Sequence, residues 1–282
     1  MKLVNFSHNG KQQLGIVRGQ EVCSLGEHDL GKLLSAGVDL EAFARAHDHG
    51  GLSFALDSIT FLPPLTAPPK IICIGLNYAD HTKESPYEQP DYPSVFNRFN
   101  TSLIGHGQAM VRPLASDSLD FEGELAVVLK SGGRHIRREQ ALEHVAGYSI
   151  FNDGSVRDYQ FKTSQWTVGK NFDATGGFGP FLVTPDELPE GAKGLLLETR
   201  LNGVVVQSAN TSDMLVDVAS QIAILSEAIT LEAGDVIVAG TPSGIGWARE
   251  PKLYMRHGDV CEVSIEGLGV LSNPIADEIP LV

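Results

Sequence analysis

The chain has 282 residues, and 21 Lys and Arg against 35 Asp and Glu give it a formal charge of -14. So acidic a surface repels phosphate backbones and anionic headgroups, so neither nucleic acid nor a membrane is an expected partner, and an anionic substrate needs cations placed locally. Cys23, Cys73 and Cys261 are too few and too widely spaced for a disulfide framework or a zinc site. The first six residues lack the apolar run of a signal peptide, and no run of 18 apolar residues occurs, so a cytoplasmic location is expected.

Residues 2–6 and 14–18 read as short strands, and residues 30–46 repeat apolar side chains at helical intervals. Together they predict a small N-terminal α/β unit over residues 1–65. Pro63, Pro64, Pro68 and Pro69 follow. A proline lacks the N–H that a helix or ladder needs, so 61–69 reads as a linker to a larger unit over 70–282. That unit opens with an apolar run at 70–76 and a short helix over 78–84. Residues 85–100 are rich in Pro, Tyr and Asn without a period, the pattern of a long loop able to act as a lid. Strands are expected at 122–129, 144–152, 178–183, 195–201, 204–206, 236–239 and 260–265. Asn202-Gly203 is a two-residue hairpin signal. Leu215, Val218, Ala219, Ile222, Leu225 and Ile229 predict a helix over 212–230, capped by Ser212 or Asp213. With 30 glycines and 15 prolines marking many turns, the chain reads as α+β and β-rich.

Glu122 and Glu124 are separated by one residue at the head of an apolar strand, so both side chains take the same face. Two like charges held that close require a cation or a shared proton. Carboxylate oxygens are hard donors that select Mg²⁺, Mn²⁺ or Ca²⁺ over zinc or copper. Asp153 ends the apolar run 147–152 and reaches the same ion if its strand lies beside the first. By itself the Glu-Gly-Glu pair fits a solvated edge strand equally well.

Its companions are NYADHTKE at 77–84, NDGSVRDYQ at 152–160, GKNFD at 169–173 and GTPSG at 240–244. With FEGELA at 121–126, these motifs resemble in order and spacing the fumarylacetoacetate hydrolase family, from about Lys70 to the C-terminus. The N-terminal unit is similar to that of longer bacterial members. The resemblance implies a mixed β-sandwich roll, a homodimer, and Mg²⁺, Mn²⁺ or Ca²⁺ held by Glu122, Glu124 and Asp153. Two features depart from the family pattern and bear on the substrate: Phe96-Asn97-Arg98 stands where many members carry a lysine, and residues 174–178 are richer in glycine.

The resemblance further implies a hydrolase that cleaves a C–C bond in a 2,4-diketo acid, an acylpyruvate such as fumarylpyruvate or maleylpyruvate, to pyruvate and a carboxylic acid. His81 is then the base, oriented by Glu84 three residues on. Lys170, with Arg157 and Gln160, faces the developing oxyanion. Tyr78, Thr241 and Ser243 contact the substrate, and Tyr87, Tyr92, Arg98 and Phe99 recognise its acyl half. An oxaloacetate decarboxylase, a hydroxymuconate-type isomerase or decarboxylase, and a 2,4-diketo-3-deoxy sugar acid hydrolase are alternatives on the same site. A non-enzymatic keto-acid binding protein would keep the carboxylates but need neither His81 nor Lys170.

Overall fold

The structure is a computed structural model that describes residues 1–48, 51–84 and 91–280. Its main sheet runs from neighbour to neighbour through Ser53–Ala55, Glu21–Gly26, Lys11–Arg18, Lys2–His8, Gly176–Val183, Val145–Asp153, Gly123–Leu129, Val236–Val238, Ile71–Gly75 and Ser94–Arg98. Along this path only Val236–Val238 and Ile71–Gly75 pair in parallel. A second sheet of five strands runs Val204–Asn210, Leu196–Leu201, Val260–Ile265, Gly269–Asp277 and Met110–Arg112. The strand-rich, mixed-sheet α+β architecture is the one expected.

The strand Gly123–Leu129 is buried throughout because both of its faces are covered. Leu125, Val127 and Leu129 pack with Leu197, Val263 and Leu271 of the second sheet and with Ile222 and Leu225 of the helix Val218–Ala228. Ala126 and Val128 face the other way, toward Leu14, Leu30 and Leu34. Fully burying each such leucine or valine contributes about 1.5–3 kcal/mol, so this strand is a rigid base for the acids at its head.

Several elements differ from expectation. The helix expected over 30–46 is two helices, Leu30–Ser35 and Leu40–His47, parted by Gly37 at φ 69° and restarted by Asp39, which accepts from Glu41 N and Ala42 N. The helix expected over 212–230 begins only at Val218, capped by Asp217. Ahead of it Asn210 caps a separate turn, Thr211–Asp213, so Ser212 and Asp213 are not the caps. In both places short polar side chains bond the backbone locally and interrupt the helical run. Within the segment read as one long loop, Ser94–Arg98 is a strand paired along Ile71–Gly75, while residues 85–90 lie outside the described residues. Phe61 lies in the strand Thr60–Phe61, and Lys2 stands opposite Val183, so the N-terminal strands extend the main sheet. Asn202 and Gly203, at φ 52° and 78°, make the expected hairpin between Leu201 and Val204. Among the described residues no helix is long and apolar enough to cross a membrane.

Candidate metal centre and active site

Strand register brings the acids together. Glu124 stands opposite Phe151, and Asp153 N–H donates to Glu122 O at 2.8 Å. Stepping by two along each strand therefore sets Glu122, Glu124 and Asp153 on one face. One oxygen from each lies within 4.8 Å of the others. The residue between the glutamates must be glycine, because a Cβ on Gly123 would sit 2.3 Å from Thr199 Oγ1 of the second sheet.

Three buried cations surround the trio. Lys170 Nζ lies 2.6 Å from Glu122 Oε2 and 2.7 Å from Asp153 Oδ2. Arg157 reaches Glu122 Oε1 at 2.7 Å through Nη1 and Asp120 Oδ2 at 2.8 Å through Nε. Arg98 donates to Asp153 Oδ1 at 2.5 Å and to Thr175 Oγ1 at 2.8 Å. Burial pushes the Glu122 carboxyl up, but Lys170, Arg157 and His81 outweigh it and hold it down at about 2. Burial pulls the Lys170 ammonium down, and Asp153 and Glu122 reverse that and raise it. Glu124 is treated differently. Burial, then Asp153 and Glu122, push it well above the ordinary carboxylate range, opposed by Lys170 and by Gly240 N–H at 2.5 Å.

Glu124 is thus the acid that this protein scaffold leaves short of positive charge. A buried carboxylate so placed takes up a proton or a further cation. Hard divalent ions bind oxygens at about 2.0–2.6 Å, which suits donors spread no wider than these. Each carboxylate oxygen accepts more than one bond, so the side-chain cations do not exhaust it. The residues fit a divalent metal.

Glu122 and Glu124 line a cavity of about 30 Å³ together with His81, Arg157, Gln160, Lys170 and Thr241. His81, on the helix Ala79–Glu84, holds Nδ1 3.1 Å from Glu84 Oε1. Glu84 is itself fixed by Gly244 N–H, at 3.0 and 2.9 Å to its two oxygens. With Nδ1–H assigned as the donor to Glu84, Nε2 is left as the basic nitrogen.

Nine of the residues named from sequence therefore converge: Glu122, Glu124, Asp153, His81, Glu84, Lys170, Arg157, Gln160 and Thr241. The Thr241 hydroxyl is engaged in the scaffold, donating to Gly123 O at 3.0 Å and accepting from Gln207 at 2.9 Å. Tyr78 is buried with a hydroxyl that has no hydrogen-bond partner among the described residues, and neither it nor half-buried Ser243 is among the described residues lining the cavity. Arg98 lies against Asp153, bonded also to Ser102 and Thr175, and is absent from the cavity wall. Tyr92 and Phe99 are exposed, and Tyr87 lies outside the described residues.

Sequence reasoning missed Asp120. Its Oδ1 accepts from Phe121 N–H and Gly246 N–H at 2.8 Å, and its Oδ2 accepts from Trp247 N–H at 2.8 Å as well as from Arg157. Burial raises its carboxyl against the pull of Arg157. The signal was present, since Asp120 continues the two-residue spacing of Glu122 and Glu124 backward. Trp166 and Trp247, also on the cavity wall, carried no such pattern.

A family model described as fumarylacetoacetate (FAA) hydrolase C-terminal matches residues 70–276. Among curated proteins, the mitochondrial oxaloacetate tautomerase FAHD2A of Homo sapiens is 41% identical over 219 residues, 77% of this chain and 69% of that one. Among solved structures, a fumarylacetoacetate hydrolase from psychrophilic Exiguobacterium antarcticum is 36% identical with a TM-score of 0.85, covering 99% of this chain and 100% of that one. A 2-hydroxyhepta-2,4-diene-1,7-dioate isomerase from Mycobacterium marinum is 29% identical with a TM-score of 0.80 over the same shares. Matched by the family model from Lys70 almost to its end, and alike in fold over nearly its whole length, this chain belongs to the fumarylacetoacetate hydrolase family.

Proposed function

We propose that the protein is a divalent-metal-dependent enzyme that interconverts keto and enol forms of a 2-oxo carboxylic acid, with His81 as the base. The observation that carries this reading is one cavity lined by a buried carboxylate pair, an imidazole held by Glu84, and two buried cations. Mg²⁺ or Mn²⁺ at Glu122, Glu124 and Asp153 would supply Lewis acidity to a 2-oxo acid. His81 Nε2 takes the proton from the carbon beside the oxo group, and the C–H electron pair becomes the C=C bond as the C=O π pair moves onto the oxo oxygen. That oxygen takes a proton from water, and His81 gives its own back to water. Glu84 keeps the imidazole in the tautomer this step needs. Lys170 and Arg157 keep Glu122 ionised and add positive potential where the enolate charge develops. The tautomerase and isomerase among the relatives favour this chemistry, since both names describe proton relocation without bond cleavage between carbons.

C–C hydrolysis is the second reading, with an acylpyruvate as the substrate; the Exiguobacterium protein's name favours the hydrolysis. It uses the same base on water. Mg²⁺-loaded protein, given oxaloacetate in its enol form, should speed the loss of enol absorbance without forming pyruvate. Pyruvate released from fumarylpyruvate or acetylpyruvate, measured by a coupled dehydrogenase, would move the assignment to hydrolysis. A homodimer is part of the same proposal, and light scattering tests it.

A further inference from the structure

The cavity wall beyond the charged groups is aromatic. Phe96 and Trp166 meet edge-on with centroids 5.4 Å apart, and Phe161 and Trp247 stand 5.1 Å apart. Ile74 and Ile245 line the same cavity. Both indoles are seated by specific backbone arrangements. A Cβ on Gly75 would come within 2.4 Å of the Trp166 ring, so glycine is what lets the indole lie on that strand. Trp247 is held through its backbone N–H by Asp120, in a turn whose start is held by Glu84.

Positive charge on the described cavity wall is confined to Arg157 and Lys170. Arg157 is bonded to Asp120 and Glu122, and Lys170 to Glu122 and Asp153, so both cations are committed to the acid cluster. Lys252 Nζ lies 4.3 Å from the Trp247 centroid but is exposed and donates to Trp247 O at 3.0 Å. Within the cavity, therefore, a second carboxylate at the far end of a substrate would meet indole and phenyl rings, and an ionised group desolvated there without a partner is disfavoured. A flat apolar group would instead be received edge-on or face-on by the rings.

Resting on the 2-oxo acid reading above, we propose that the substrate carries an apolar planar group at the end remote from its 2-oxo carboxylate. That group is received against the rings of Phe96, Trp166, Phe161 and Trp247 on the cavity wall, and Trp166 and Trp247 set the specificity.

The test compares phenylpyruvate with oxaloacetate on the full-length Mg²⁺-loaded protein, by enol–keto conversion rates and by calorimetric dissociation constants. Phenylpyruvate should exceed oxaloacetate by at least about tenfold in kcat/KM, the scale on which an apolar pocket discriminates, and should bind more tightly. Trp166→Ala and Trp247→Leu should each bring that ratio to about twofold or less, chiefly through KM. Trp166→Phe, the variant least disruptive to folding, should keep most of it. Preferred turnover and binding of oxaloacetate, or an unchanged ratio in the two truncations, would overturn the substrate class while leaving the metal and base assignments standing. No turnover of either acid with Mg²⁺ or Mn²⁺ would bring down the functional reading itself, and this inference with it.

Discussion

In the strand Lys11–Arg18 only Leu14 and Gly15 are fully buried, and Lys11 and Arg18 are exposed at its ends; further along the same sheet, every residue of Gly123–Leu129 is buried, Glu124 included. The first strand needs only a half-covered apolar surface. The second carries charge into the interior, and Lys170, Arg157 and Arg98 offset that charge incompletely. The contrast separates a part of the sheet whose burial is apolar from a part that gives up some stability to bury charge.

The contrast is tested most strongly by methionine placed in each region. Arg98→Met keeps much of the side-chain volume but strips Asp153, Thr175 and Ser102 of a shared donor. Breaking a buried pair on one side costs about 3–5 kcal/mol, and urea unfolding of metal-free protein should show a loss of that order. Leu14→Met in the N-terminal strand should cost less than about 1.5 kcal/mol. Equal losses would mean that the buried charges are no special burden.

His81→Ala asks whether the site divides into separable parts. Turnover should fall at least about a hundredfold, the scale of general-base loss. Mg²⁺ affinity by calorimetry should change little, because the proposed ligands are all carboxylate oxygens. A parallel collapse of metal binding would show that the imidazole belongs to the metal site.

How much of this was legible in the sequence follows from distance along the chain. Glu122 and Glu124 declare a shared face by local alternation, and Asp153 is marked by its place at a strand end. Arg98 could not be placed, because its carboxylate partner is 55 residues away and nothing local says which face of Ser94–Arg98 is covered. That strand was hidden for the same reason: it forms by pairing with Ile71–Gly75, while the segment before it is rich in proline. Asp120 was readable by spacing, but its partners Gly246 and Trp247 come from a turn some 126 residues later. The helix breaks at Asp39 and Asp217 were local signals outweighed by a run of apolar spacing.

Returning to the N-terminal side, Asn5 is buried with its amide donating to Pro63 O at 2.8 Å and its carbonyl accepting from Gln12 at 3.0 Å. Asn5→Ala should cost about 1–3 kcal/mol, the range for leaving buried polar groups unmatched. Mg²⁺ affinity should not move. A shift in metal binding would show that the two regions of the sheet are mechanically coupled.

The smallest expected effect concerns a charge at the surface of the fold rather than in its centre. Asp217 caps the helix Val218–Ala228 by accepting from Ser220 N–H at 2.9 Å and pairs with Arg138 at 2.5 Å. Burial pushes its carboxyl up, but the Ser220 hydroxyl and N–H and the Arg138 guanidinium hold it below the ordinary 3.8. A carboxyl depressed in the folded state contributes stability that is fully present above its unfolded value and is lost as pH falls through the folded one. Asp217→Ala should therefore cost about 1 kcal/mol at neutral pH, and the melting-temperature gap from the parent should close as pH is taken below 3.8. A gap that stays constant down the series would assign the stabilisation to the cap's hydrogen bond alone. The charge that matters would then be confined to the acid cluster at the sheet's centre, where no comparable surface screening operates.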